Sequence, residues 1–180
     1  GYELTGGLYD AGVLSAMLQA GFTANESTLQ YSEMTMGSHA ELWDQVTVTD
    51  NSVQLPEGLA IDAGGIGKGL AADFIANRAI NLGARGVVVN AGGEVAVRGD
   101  SVNPAGWSVG VEHPFDEDQL LATAYLQQGG LATSAPSGWI HNNQSHIIDP
   151  RTGISTKTDI VQATVISART VDAEVLAKMC

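Results

Sequence analysis

The chain has one cysteine, Cys180, so no disulfide can form within it. As the last residue, that thiol reads as a truncation point or an incidental one. Only 8 residues are Lys or Arg against 20 Asp or Glu, a formal net charge of −12. This argues against nucleic acid as a partner, because neutralising phosphates needs clustered cations. It also means that an anionic ligand needs backbone donors or a metal ion to hold it. The plainer reading of the acidity is a solvated surface. No run of 18 apolar residues occurs, so nothing reads as a membrane span. No signal peptide is visible, and the chain starts at Gly1 without Met. The compartment is therefore left open between cytoplasmic and membrane-associated facing outward.

What is present is ample for a core. The 180 residues are 44% hydrophobic, which reads as a single domain over residues 1–180. The 22 glycines are spread between apolar runs and point to many turns and close backbone approaches. Leu8, Val13, Leu14, Met17 and Leu18 recur at helical spacing over Leu8–Gly21. Ser27–Ala40 is polar and loop-like. Gln45–Asp50 and Val53–Leu55 read as a hairpin across Asp50-Asn51. Leu59–Asp62 is strand-like. Leu70, Phe74, Ile75, Arg78, Ala79 and Leu82 follow a 3.6-residue period, closed by Gly83. Val87–Val89 reads as a fully buried strand, with Val95–Arg98 and Trp107–Val111 as further strands. Leu120–Leu126 is open between helix and strand, and Gly129–Ser134 reads as a small-residue turn. Ile160–Ser167 is a strand, and Val171–Met179 a helix with Val171, Val175, Leu176 and Met179 on one face. The fold class is α+β, mostly antiparallel, with two or three helices.

The densest chemistry lies in Ile61-Asp62-Ala63-Gly64-Gly65-Ile66-Gly67-Lys68-Gly69. Glycines let backbone N–H groups approach a ligand, and a following helix N-terminus favours an anion. Lys68 adds a full charge, so phosphate or pyrophosphate is the simplest ligand. A P-loop fails, since it needs Gly at position 62 and Ser or Thr at 69, where Asp62 and Gly69 stand. A dinucleotide fingerprint, Gly67-x-Gly69-x-x-Ala72, is a weak match and supports an oxidoreductase only distantly. A glycine-rich turn without ligand is the bland alternative.

Several blocks in order resemble the ApbE family, the FAD:protein FMN transferases. They are Thr5-Gly6-Gly7-Leu8-Tyr9-Asp10; Asp62 to Gly69 with Asp73; Asn90-Ala91-Gly92-Gly93-Glu94; Ala132-Thr133-Ser134; His146-Ile147-Ile148-Asp149-Pro150-Arg151-Thr152-Gly153; and Asp172-Ala173. The resemblance implies cleavage of the FAD pyrophosphate and transfer of FMN to a Ser or Thr hydroxyl of a target flavoprotein, releasing AMP with Mg²⁺ required. It places Leu8, Tyr9, Asp10, Asp62, Lys68 and Ile148 at nucleotide contacts. It makes the Gly65 carbonyl and the Asp172 carboxylate the Mg²⁺ ligands. It makes His146 the general base, a role an imidazole of ordinary pKa suits. FAD is then the substrate and the acceptor flavoprotein the partner, with a homodimer left open. Taken singly, His146 reads as a turn histidine and Asp172 as a helix N-terminal acid. The three tryptophans Trp43, Trp107 and Trp139 read as packing residues.

The chain also departs from the family pattern. Members carry further oxygen-bearing side chains after the last Asp, where this chain has Glu174-Val175-Leu176. Glu174 lies about 200° around a helix from Asp172 and is a poor substitute ligand. Strands that precede the Thr-Gly-Gly block in the family are not found ahead of it here, and the family's last helix runs further than Cys180. Two other readings of the same site follow: an FAD pyrophosphatase giving FMN and AMP, and a non-catalytic FAD-binding protein, which Val175 and Leu176 favour.

Overall fold

A computed structural model describes residues 1–22 and 40–179. Most of the polar segment 27–40, and Cys180, lie outside the described residues. The chain divides into two compact units, Gly1–Ala63 with Pro136–Thr158, and Gly64–Ala135 with Asp159–Cys180.

The first unit is built from short pieces. Helices α1 (Tyr2–Thr5), α2 (Leu14–Gln19) and α3 (Ala40–Trp43) are joined by hairpins β1–β2 (Thr47–Val48, Val53–Gln54), β8–β9 (Ile140–His141, Gln144–Ser145) and β10–β11 (Ile148–Asp149, Ile154–Ser155). The helical spacing over Leu8–Gly21 yields only α2, because Gly6 and Gly7 adopt φ of 60° and 86° and the chain turns through Leu8–Val13. Ala16, Met17, Phe22 and Ile148 form this unit's core. Leu59–Asp62 is not a strand. It makes one parallel bridge, Val13 to Ala60, and one hydrogen bond, Asp62 N–H to the Ala11 carbonyl at 2.8 Å.

The second unit is a four-stranded antiparallel sheet in the order β12-β7-β4-β3: Ala163–Ser167, Gly129–Ser134, Glu94–Gly99 and Gly86–Ala91. Strand alternation sends Val95, Val97 and Leu131 to one face. There they pack against Val109, Val111 and Leu126 of the hairpin β5–β6 (Trp107–His113, Asp116–Leu126). The other face takes α4 (Gly67–Asn81) and α5 (Thr170–Ala177). Leu120–Leu126 is thus strand.

Three expectations are corrected here. Gly129–Ser134 is β7, one of the two inner strands, rather than a turn. Its small side chains admit α5, and a Cβ on Gly130 would fall 2.6 Å from Thr170 Cα. Val87–Val89 lies on the edge strand β3 and leaves Val88 exposed, while the inner strand β4 is buried from Glu94 to Arg98. The 3.6-residue period correctly marks α4, and Gly83 closes it at φ 97°, but the apolar stripe faces outward. Gly69, Ala72, Asp73 and Ala76 are buried, whereas Leu70, Ile75, Leu82 and Phe74, the last 70% exposed, are not. The reason is distance. Ala72 and Ala76 pack on Ala96, a contact too close for a Leu or Phe between helix and sheet.

Candidate functional site

Two ion pairs clip α4 to β4. The acceptor and the donor on β4 lie on its helix-facing side, four residues apart: Glu94 meets Lys68, and Arg98 meets Asp73. Lys68 follows the glycine turn directly. Its Nζ donates to Glu94 Oε1 at 2.7 Å, with the Lys68 side chain 48% exposed and that of Glu94 2%. The N-cap residue Ile66 supplies no side-chain acceptor. Instead Glu174, from α5, accepts the Gly69 N–H on Oε2 at 2.7 Å. Glycine is required there, since a Cβ would meet Val171 Cα at 2.8 Å.

Glu174 is fully buried. Burial pushes its carboxyl up from the usual range, only partly offset by the Gly69 N–H and by Lys178, and the Glu94 charge adds to the rise. Lys178, one helical turn on, places Nζ 3.7 Å from Glu174 Oε1. Burial pushes its ammonium down, against the pull of Glu174 and Glu94. Lys68, Glu94, Glu174 and Lys178 thus form one charged cluster, two acids side by side with a lysine on each.

Asp73 sets the start of α5. It accepts the Thr170 and Val171 N–H groups at 3.1 and 3.0 Å and Arg98 Nη2 at 2.7 Å. Burial alone would raise its carboxyl, but the two N–H groups and Arg98 outweigh that and hold it below the ordinary range. Asp172 is the third residue of this anchored helix. It is partly exposed and only loosely paired, with Arg169 Nε 3.8 Å from Oδ2. Gly65 lies in the turn ahead of α4 and is also partly exposed. Val175, in the third position after Asp172, is buried and offers no oxygen.

Among the described residues no three His, Cys, Asp or Glu side chains gather as a metal group. A single half-open carboxylate and a carbonyl do not make a closed protein cage. They do fit the mode in which Mg²⁺ keeps its waters and is held mainly by substrate phosphates.

In the first unit, Thr5 Oγ1 accepts the Tyr9 N–H at 2.9 Å, and Asp10 Oδ1 accepts the Gly12 N–H at 2.7 Å and Trp43 Nε1–H at 2.9 Å. Tyr9 and Asp10 are buried and Leu8 is exposed. The Asp62–Ala11 hydrogen bond brings Asp62 beside this turn. Ile148 is a core residue next to Met17 and Phe22. His146 lies between β9 and β10. Its N–H donates to the Trp139 carbonyl at 3.0 Å, and its Nδ1 lies 3.2 Å from the same oxygen. A carbonyl can only accept, so this contact is a hydrogen bond when Nδ1 carries the proton. Nε2 is then the basic nitrogen of the neutral ring. Asp149 holds its turn, bound bidentately by Arg151 at 2.9 and 2.7 Å, and that pairing pulls its carboxyl down.

Leu8, Tyr9, Asp10, Asp62, His146 and Ile148 therefore belong to the first unit, and Gly65, Lys68 and Asp172 to the second. Sequence reasoning missed Glu94 as the partner of Lys68 and Glu174 as the acceptor for α4. One signal was available for the second: Glu174 and Lys178 stand at i and i+4 along the mostly apolar run Val171–Met179.

Among the described residues no helix is long and apolar enough to cross a membrane. The family model of the ApbE family matches residues 1–180. The FAD:protein FMN transferase of Salmonella typhimurium is 30% identical over 125 residues, covering 67% of this chain and 35% of that protein. Its counterpart in Vibrio cholerae is 29% identical over 143 residues, covering 74% of this chain and 42% of that protein. The matched segments thus span less than half the length of these relatives. Among solved structures, the ApbE protein of Thermotoga maritima superposes with a TM-score of 0.75 at 28% identity, covering 99% of this chain and 60% of that one. The flavin transferase ApbE of Vibrio cholerae superposes with a TM-score of 0.72 at 25% identity, covering 99% and 59%.

Proposed function

The chain belongs to the ApbE family, and from that premise we propose that it acts on FAD, passing the FMN phosphoryl group to a Ser or Thr hydroxyl of a target flavoprotein. The bond broken is the P–O bond between the FMN phosphorus and the bridging oxygen. The bond formed joins that phosphorus to the hydroxyl oxygen. AMP leaves with the bridging oxygen, and the hydroxyl proton goes to Nε2 of His146. The observation that carries this reading is Lys68: a half-exposed ammonium fixed at the end of a glycine turn and the start of a 15-residue helix. Phosphoryl transfer is mostly positioning and charge stabilisation, and such a group supplies both.

Mg²⁺, when bound, would neutralise phosphate oxygens, with Asp172 and the Gly65 carbonyl as its protein ligands. Asp73 serves that role indirectly by anchoring the first turn of α5. Leu8, Tyr9, Asp10, Asp62 and Ile148 are assigned to the nucleotide on the family resemblance. The buried Val175 favours a second reading, a protein that binds FAD without transferring it.

Incubation with FAD and Mg²⁺, with and without a Ser/Thr-bearing flavoprotein, separates the readings. Transfer gives flavin-labelled target and stoichiometric AMP. Hydrolysis gives AMP without labelled target. Binding alone gives neither, with FAD retained on the protein.

A further inference from the structure

We infer that Glu94 is the positioning residue for Lys68, setting where its ammonium meets the FAD phosphates. The inference rests on the FAD reading above. Glu94 opens β4 directly after the turn Asn90–Gly93, which is closed by the Gly93 N–H donating to Asn90 Oδ1 at 2.8 Å. The carboxylate is buried, and its place is fixed by the sheet. Its Oε1 holds Lys68 Nζ at 2.7 Å. Gly92 flanks the lysine stem, where a Cβ would lie 3.6 Å from Lys68 Cδ. Stem and head of a flexible side chain are thereby guided by one turn.

The arrangement is costly as a mere clip. Glu94 Oε2 has no hydrogen-bond partner among the described residues, and the neighbouring Glu174 is also a buried carboxyl. Buried carboxylates with incomplete partners lower stability, so a helix–sheet contact would be better served by apolar residues. What the pair adds is direction. Lys68 has three N–H donors, of which Glu94 takes one, and the exposed part of the side chain leaves the others for an anion. The residue that the glycine turn presents to a phosphate is held from behind.

The test is a double-mutant cycle on FAD affinity, read by calorimetry on the full chain. Glu94→Asp keeps the charge and retracts it by one methylene, so it alters geometry alone. Expected are a roughly tenfold weaker Kd for Glu94→Asp and no further loss when it is added to Lys68→Ala. An equal loss in both backgrounds, or none in either, overturns the positioning role. An unchanged Kd for Lys68→Ala instead overturns the FAD reading of Lys68, and the inference with it. A second measurement does not depend on nucleotide. The ¹⁵N-labelled Lys68 ammonium should be ordered in the parent and mobile in Glu94→Gln. Equal mobility in the two proteins overturns the inference.

Discussion

Glu174 accepts the Gly69 N–H at 2.7 Å, so a buried carboxyl of α5 caps the first turn of α4 across 105 residues of chain. The contact locks the two helices at the point where both begin. One amide of α4 is thus satisfied from α5 rather than by a side chain of its own N-cap residue, Ile66. Asp73 does the reverse, reaching from α4 to the first two amides of α5. Each helix is thus capped by an acid of the other.

Glu174 should tolerate Gln far better than Ala. Burial already disfavours its charged form. Gln keeps an acceptor for the Gly69 N–H and removes the charge. Ala leaves that N–H buried without a partner, a cost of about 1–3 kcal/mol, with a cavity term on top. Urea unfolding of the two variants checks this, and equal midpoints for both would show that the cap carries no stability.

The Asp73–Arg98 pair supplies a pH prediction. The pair is nearly enclosed, and removing one partner strands the other, so Asp73→Asn should cost roughly 3–5 kcal/mol. The Asp73 carboxyl lies below its ordinary 3.8 in the folded chain. The folded state therefore binds fewer protons than the unfolded state in that window. Its stabilising share is complete above about 3.8 and is lost as pH falls through the lower folded value. Unfolding free energies measured from neutral pH down to about 2 should show an acid limb in the parent that is shallower in Asp73→Asn.

Much of this was legible in the sequence, for reasons that separate cleanly. The glycine turn, α4 and its Gly83 stop follow from local conformational preferences, which the sequence states directly. The face that α4 buries does not. It depends on how close the sheet lies, and small residues on β4 and β7 allow an approach that puts alanines inside and Phe74 outside. Gly129–Ser134 misled for the same reason, since small residues mark a turn and a close-packed strand alike. The Lys68–Glu94 and Gly69–Glu174 contacts join residues 26 and 105 positions apart, and no spacing rule reaches that far.

The outward face of α4 gives a test of that explanation. Phe74→Ser should change stability by no more than about 0.5 kcal/mol, the usual range for an exposed site. Ala76→Leu, on the face with less apparent bulk, should cost about 1–3 kcal/mol through overpacking. Thermal or urea unfolding compares them. A large loss for Phe74→Ser with little for Ala76→Leu would mean that α4 sits with its other face to the sheet.

The last prediction concerns His146. With the proton on Nδ1, donated to the Trp139 carbonyl, Nε2 is the basic nitrogen that a hydroxyl nucleophile needs. If it takes that proton, His146→Ala should lower FMN transfer by roughly 10²–10⁴-fold while FAD affinity stays near the parent value. The pH–rate profile of the parent should fall on the acid side, where the ring is protonated and cannot accept a proton. That limb should be absent in the variant. The two measurements guard one another: a rate loss with weakened FAD binding would make His146 a binding residue, and a rate loss with the acid limb retained would assign the limb to another group. Unchanged transfer in His146→Ala would leave the histidine as a turn residue held to Trp139, with no part in the chemistry.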